Sequence, residues 1–387
     1  MKPIPSNAHT WVNCTGSVQL SEAHKIPALD TELSESRKEG LAFHELAKII
    51  LTSKESTSRA ALVGQLSSHG MPYDDDMYDA AVDYATDIMV VYNQAGERHR
   101  ERWIETKVDT SCVYPLTHGY VDTCVINPTN CTITIWDAKY GYSIVEVFEN
   151  WQLLTYAFAI CESLVNGQES QGWKLVLKVY QPRGFHRDGV MRSWELSVND
   201  ARAYFNILTN KARESMGANA KCTTGLHCLN CSANHACDSF RRVNHAIYQQ
   251  TADAIGTDLT GVSLATSVIM ARHAKKLLDG YVKALEEQAV TESRMGKALP
   301  GLTAEQGYGS LAWRKDLDQE EVINMGDLMG VELRKPRELK TPTQCKKLLD
   351  ESVINEYATR EVKGWKLVEL TEDRVKQMFK IDRSKTV

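Results

Sequence analysis

The sequence has no apolar run approaching the roughly 20 residues that a membrane-spanning helix needs, so no such helix and no membrane partner is expected. The N-terminus, Met-Lys-Pro-Ile-Pro-Ser-Asn-Ala-His, lacks the apolar core of a secretory signal, and a cytoplasmic location follows as the expectation. A basic excess is also missing. The net charge is −5, which argues against a protein that coats nucleic acid and confines any nucleic-acid surface to a local groove. Internal repeats and low-complexity tracts are absent, which excludes a solenoid or a linker-like chain.

What is present is an ordinary globular composition, 43% hydrophobic and 25% charged over 387 residues, enough for one large domain and a smaller one or two. Apolar spacing predicts helices over 6–24, 34–53, 55–68 and 74–95. From residue 101 the period changes to two. Strands are expected at 103–108, 119–126 and 131–136, then a helix at 149–165, strands at 173–180 and 192–198, and a helix at 199–215. Residues 216–238 carry four cysteines and little periodicity, and 240–295 read as helical. Beyond about 300, a strand at 308–313 and capping boxes at 318–321 and 341–344 suggest a small α+β module over 313–366. The order describes an α/β core with a mixed central sheet flanked by helices.

Residues 119–156 concentrate the chemistry. Asp122 lies in one strand, a second strand delivers Asp137 and Lys139, and a helix follows with Gln152 and Tyr156 one turn apart. Two carboxylates beside a lysine suit a hard divalent ion next to a scissile phosphate. Asp137 and Lys139 project from one face of their strand, because side chains alternate with period two. A D-x-K tripeptide alone is equally an exposed ion pair at a strand end, and His44, between Phe43 and Leu46, is equally a buried helix histidine.

The ordered set Gly40-Leu-Ala-Phe-His44, Gly119-Tyr-Val-Asp122, Asp137-Ala-Lys139 and Gln152-Leu-Leu-Thr-Tyr156 resembles the RecB-like branch of the PD-(D/E)xK nuclease superfamily, in particular a phage-borne family. Asp replaces the more usual Glu before the lysine, and Val rather than Pro precedes Asp122. The resemblance implies a PD-(D/E)xK core with N-terminal helices and a mainly helical or α+β C-terminal addition. By it, His44, Asp122, Asp137 and the Ala138 carbonyl would bind Mg²⁺ or Mn²⁺. Lys139 would be the catalytic lysine, with Gln152 and Tyr156 steadying the site. Glu39 and Glu105 are weaker candidates, read first as surface charge.

The second feature is Cys222-x5-Cys228-x2-Cys231-x5-Cys237. C-x2-C is a chelating spacing, and a zinc knuckle made from these four cysteines would be self-sufficient. The family resemblance points elsewhere. In AddB-type members a [4Fe–4S] cluster takes one cysteine before the core and a C-x2-C-x5-C triplet after it. Here those would be Cys14 with Cys228, Cys231 and Cys237, leaving Cys222 spare. The domains expected are then a nuclease domain over 1–240 closed by that cluster, a helical segment over 241–300, and the module over 301–387. Cys112, Cys124, Cys131, Cys161 and Cys345 read as small buried hydrophobes.

Candidate DNA contacts are Lys178, Arg183 and Arg187, with Lys174, His186 and Arg192 nearby. Trp151, Tyr180 and Phe185 are candidates for stacking on unpaired bases, and His227, His235, Arg241 and Arg242 are secondary phosphate contacts. No base-reading motif is present. The expectation is a sequence-independent exonuclease acting on linear single- or double-stranded DNA in phage recombination, replication or end processing. Its partner would be a single-strand-binding, annealing or helicase protein. The competing expectation is a non-catalytic DNA-binding or assembly factor that keeps the nuclease fold.

Overall fold

A computed structural model describes residues 2–27, 34–53, 57–94, 101–165, 172–253 and 261–304, with four isolated positions beyond. The chain divides into two compact units, Met1–Gln306 and Gly307–Val387. Cys345 and the elements expected beyond 304 lie outside the described residues, apart from those isolated positions.

Five strands form one sheet in chain order: β1 Glu101–Asp109, β2 His118–Asn127, β3 Thr132–Ala138, β4 Lys174–Tyr180 and β5 Met191–Ser197. Neighbours are antiparallel except β3 and β4, which run parallel. A parallel pair needs a crossover, and helix α6 Trp151–Val165 lies between these two strands in sequence. The result is a mixed α/β fold with a five-stranded mixed sheet flanked by helices.

Alternation along the strands builds a core on each face. On one, α3 Glu35–Thr52 and α5 Asp75–Gln94 bury Phe43, Leu46, Ala81 and Tyr84 against Val125, Trp136, Ala138 and Tyr180. On the other, α6, α7 Val198–Met216 and α1 Ala8–Asn13 bury Leu153, Ile160, Phe205 and Trp11 against Ile133, Ile135, Leu175 and Leu177. Each large apolar side chain removed from water contributes about 1.5–3 kcal/mol, so the sheet is fixed from both sides.

Two helical expectations need correction. The stretch 6–24 is two helices, α1 and α2 Ser17–Ala23, because the chain is extended at Cys14 (φ −141°, ψ 93°). Over 55–68, among the described residues 57–68, only α4 Arg59–Leu62 is helical. Val63 is extended (φ −64°, ψ 132°) and ends it, Gly64 follows left-handed at φ +89°, and Leu66 bridges to Pro72 instead. Within 240–295 the described residues up to 294 are helical as expected, in α8 Asp238–Asp253 and α9 Gly261–Arg294. Phe240 of α8 and Leu277 and Tyr281 of α9 close over Cys228 and Cys237.

Candidate functional site

The β1/β2 register sets Ile104 against Thr123 and Thr106 against Val121, so Glu105 stands opposite Asp122. The β2/β3 pairing ends at Thr123 and Trp136, and the next step of that register sets Asp122 opposite Asp137. Three acidic residues therefore fall on one row across three strands. Both strands adjust there. Glu105 takes a left-handed conformation, φ +45°, and the Ala138 N–H, past the last β2/β3 pair, donates to Asp122 Oδ2 at 2.8 Å.

Helix α3 delivers His44 to this row. Its Nδ1 lies 3.0 Å from Glu105 Oε1 and 3.9 Å from Asp122 Oδ2. One ligand atom from each of His44, Glu105 and Asp122 can be drawn with all three within 4.8 Å of one another. Burial pushes the His44 imidazole down, but Asp122 and Glu105 outweigh it and raise its pKa to about 9. Glu105, read from sequence as surface charge, is thus a member of the acidic group. Its strand position directly opposite Asp122 was the available signal, hidden until the hairpin register is known.

On β3, Asp137 is 2% exposed, and Lys139 Nζ lies 2.7 Å from its Oδ1. The other oxygen, Oδ2, is buried with no hydrogen-bond partner among the described residues. Burial raises the Asp137 pKa, opposed by Lys139 and reinforced by Asp122. For Lys139 burial works against the charge, but Asp137 and Asp122 outweigh it and hold the amine above its ordinary value. The shared face of Asp137 and Lys139 is as the strand period requires.

Gln152 and Tyr156 come from the first turns of α6. Asn150 caps that helix through its Oδ1, which accepts the Leu153 N–H at 3.1 Å. The Tyr156 hydroxyl is hydrogen-bonded to the Gln152 side chain and to the Tyr120 backbone, and burial raises its pKa. Gly119 makes this approach possible: a Cβ there would fall 2.7 Å from Tyr156 Cε1 and 2.9 Å from Pro5 Cγ.

The cysteines converge on a second place. Thr223 N–H donates to Cys14 Sγ at 3.4 Å, and Gly16 N–H to Lys221 O at 2.9 Å. Cys222 interacts with Cys14 and Cys237, Cys231 with Cys14 and Cys228, and His227 with Cys14 and Cys228. Burial and these neighbours push the Cys222 thiol up to about 12. Burial also raises the Cys14 thiol, but hydrogen bonds from His227 and Thr223 outweigh it and leave Cys14 below its ordinary value. Cys222 is geometrically part of the group: its sulfur would lie 2.6 Å from a Cβ at Gly16. Among the described residues no three of these thiols lie within 4.8 Å of one another. Cys124 and Cys161 are buried as expected, whereas Cys112 and Cys131 are only half-buried.

The expected DNA contacts fare differently. Lys178 does not face solvent. It bonds Asp87 Oδ2 at 2.7 Å, over the Trp136 ring, because the even positions of β4 face α5. Arg183 bonds Glu39 at 2.6 Å and stacks on Tyr140 and Tyr142. Arg192, 3% exposed, ties Val145 O and Gln181 Oε1 and braces the loop after Lys139. Lys174 pairs with Glu195, and His186 lies near Glu146 and Asp188. Arg187 is exposed beside Asp188. Tyr180 is buried, Trp151 packs edge-on against Tyr204, and Phe185 is 94% exposed. No described helix is long and apolar enough to cross a membrane.

The acidic row, Lys139 and the cysteine group all fall within residues 4–374, the span matched by the family described as Protein of unknown function (DUF2800), and the chain belongs to that family.

Proposed function

We propose that the chain is a metal-dependent DNA nuclease with a PD-(D/E)xK core, a sequence-independent exonuclease of phage DNA recombination, replication or end processing. The observation that carries this reading is the Glu105–Asp122–Asp137 row ending at Lys139, with one Asp137 oxygen buried and unpartnered. That orphaned oxygen and the converging His44, Glu105 and Asp122 atoms fit a divalent cation. These four residues would hold Mg²⁺ or Mn²⁺, whose chemistry is to acidify a bound water and neutralise phosphoryl charge. Asp122 is held in place by the Ala138 N–H. Lys139, kept protonated by two carboxylates, would orient the attacking water and offset charge on the phosphate. The Gln152–Tyr156 pair would steady the strand beside Gly119.

The thiols of Cys14, Cys228, Cys231 and Cys237 would hold a [4Fe–4S] cluster as a staple between the N-terminal helices and residues 221–237. Five thiols with N–H donors aimed at Cys14 suit thiolate ligation.

The test is degradation of end-labelled linear DNA with Mg²⁺ or Mn²⁺, wild type against Lys139→Ala. Cleavage by wild type alone supports the proposal. Salt-sensitive binding with no cleavage in either metal would instead favour the non-catalytic assembly factor. Anaerobically purified protein is expected to be coloured, and Cys14→Ala to lose the colour together with its iron.

A further inference from the structure

On both β1 and β2 the facing of the side chains inverts at the acidic row. Val121 belongs to the core under α6, and so do Cys124 and Ile126; on β1 Val108 belongs to that core and Trp103 packs against it. The left-handed backbone of Glu105 marks the inversion. Beyond the row, Gly119 and Val121 face α6, with Gly119 against Tyr156 and Pro5. The residues alternating with them, Asp122, Tyr120 and His118, face the side to which α3 brings His44. Lys107 pairs with Tyr120 and Asp109 with His118 across the hairpin, so these share that face. We infer that this ledge carries the DNA strand beside the scissile phosphate: Lys107 takes a flanking phosphate, and the Tyr120 ring packs on the adjoining nucleotide. The inference rests on the nuclease reading and gives the strand its path away from that site.

The ledge is open. Among the described residues, the core under α3 and α5 takes in Ile104 and Val125 but no residue of 107–120. Lys107 and His118 are exposed, and Tyr120 is 54% exposed with the His118 ring edge-on at 6.4 Å. Lys107 also differs from the cations first expected to meet DNA. Lys178 and Arg183 are held by Asp87 and Glu39, whereas among the described residues no hydrogen bond or close ion pair engages the Lys107 amine. Asp109 is the charge nearby, and its carboxylate is already taken by the Ser111 N–H and hydroxyl at 2.9 and 2.6 Å. A cavity of about 460 Å³ continues the ledge past Lys107 to Leu116 and Thr117 at the hairpin end.

Spacing and chemistry select the occupant. Lys107 follows Glu105 by two residues, about 6.6 Å along the strand. Phosphates of one DNA strand succeed each other at about 3.4 Å of helix axis, so the lysine stands about one or two phosphates from the metal-binding residues. A lysine binds phosphate as a point charge without reading sequence, and an exposed ring stacks on any base. Both match the absence of a base-reading motif. Asp109 sets the far limit of the part that takes an anion.

The test uses full-length Lys139→Ala protein, to prevent turnover, with end-labelled single-stranded and duplex DNA titrated over a range of salt. Adding Lys107→Ala is expected to weaken binding and to flatten the slope of log affinity against log salt by about 0.7 to 0.9, the share of one phosphate contact, and Lys107→Arg to restore it. Tyr120→Ala should weaken binding about tenfold at unchanged slope, with Tyr120→Phe recovering the loss. Lys211→Ala, on α7 across the sheet, is the control and should change neither. Urea unfolding midpoints keep the comparison to folded protein. An unchanged slope in Lys107→Ala, a Tyr120→Ala protein that binds as its parent does, or an equal loss of slope in Lys211→Ala overturns the inference. The nuclease reading fails separately. If wild type never cleaves but the Lys107 and Tyr120 effects hold, the ledge stands as a DNA-binding surface without the activity. If wild type cleaves and neither variant alters binding, the activity stands without the ledge.

Discussion

Asp122 accepts the backbone N–H of Ala138 at the point where β2 and β3 stop pairing. One carboxylate therefore serves as a proposed ligand and as the cap on a freed strand amide. The two roles separate by substitution. Asp122→Asn keeps an acceptor oxygen and should unfold in urea close to wild type, yet lose Mn²⁺ binding in calorimetry. Asp122→Ala should lose both, with about 1–3 kcal/mol of stability gone for the unpaired amide.

Glu105 bears on the same row from a strained backbone, φ +45°. Glu105→Gly is expected to hold or raise thermal stability by up to about 1 kcal/mol, since glycine adopts this conformation freely. Its Mn²⁺ affinity should nevertheless fall, about tenfold or more. A Glu105→Gly protein that binds Mn²⁺ as wild type does would remove Glu105 from the ligand set.

Lys139 and Asp137 are a largely buried pair. Removing the lysine alone leaves a carboxylate in a dry site, so Lys139→Ala should be destabilised by about 1–3 kcal/mol as well as inactive. Neutralising the partner should recover part of that loss. Urea titration of Lys139→Ala against Lys139→Ala with Asp137→Asn checks it, and a double variant less stable than the single would contradict it.

Glu45 gives a pH prediction away from the site. Burial raises its pKa, but donors at Ser68 and the Tyr73 hydroxyl, at 2.8 Å, outweigh burial and hold it below its ordinary value. A depressed carboxylate stabilises the fold above its unfolded pKa, and the contribution is lost as pH falls through the folded one. Wild type should therefore lose stability more steeply than Glu45→Gln below about pH 4.5, with no difference in slope near neutrality.

Much of the sheet was readable because buried strands alternate: Ile133 and Ile135 on one face, Trp136 and Ala138 on the other. The shared face of Asp137 and Lys139 follows from the same period. Contacts set by register and packing were not readable. Glu105 looks like any strand glutamate until its partner is known to be Asp122. Lys178, Arg183 and Arg192 look like groove cations in sequence, yet each meets an acidic, aromatic or carbonyl partner brought from far along the chain. The break at Cys14 was hidden because its cause, residues 221–223, is some two hundred positions away.

That last separation bears on how the chain is made. Every strand of the sheet pairs with its neighbour in sequence, so the sheet can assemble as it is synthesised. The N-terminal helices cannot follow that order. Gly16, Gln19 and Cys14 meet partners at 215–223. At about 5–20 residues per second, residues 14–19 leave the ribosome on the order of ten to forty seconds before the partners at 215–223 that hold them. During that interval Gly16 and Gln19 lack these partners, so this segment completes its packing later than the strands that follow it in sequence.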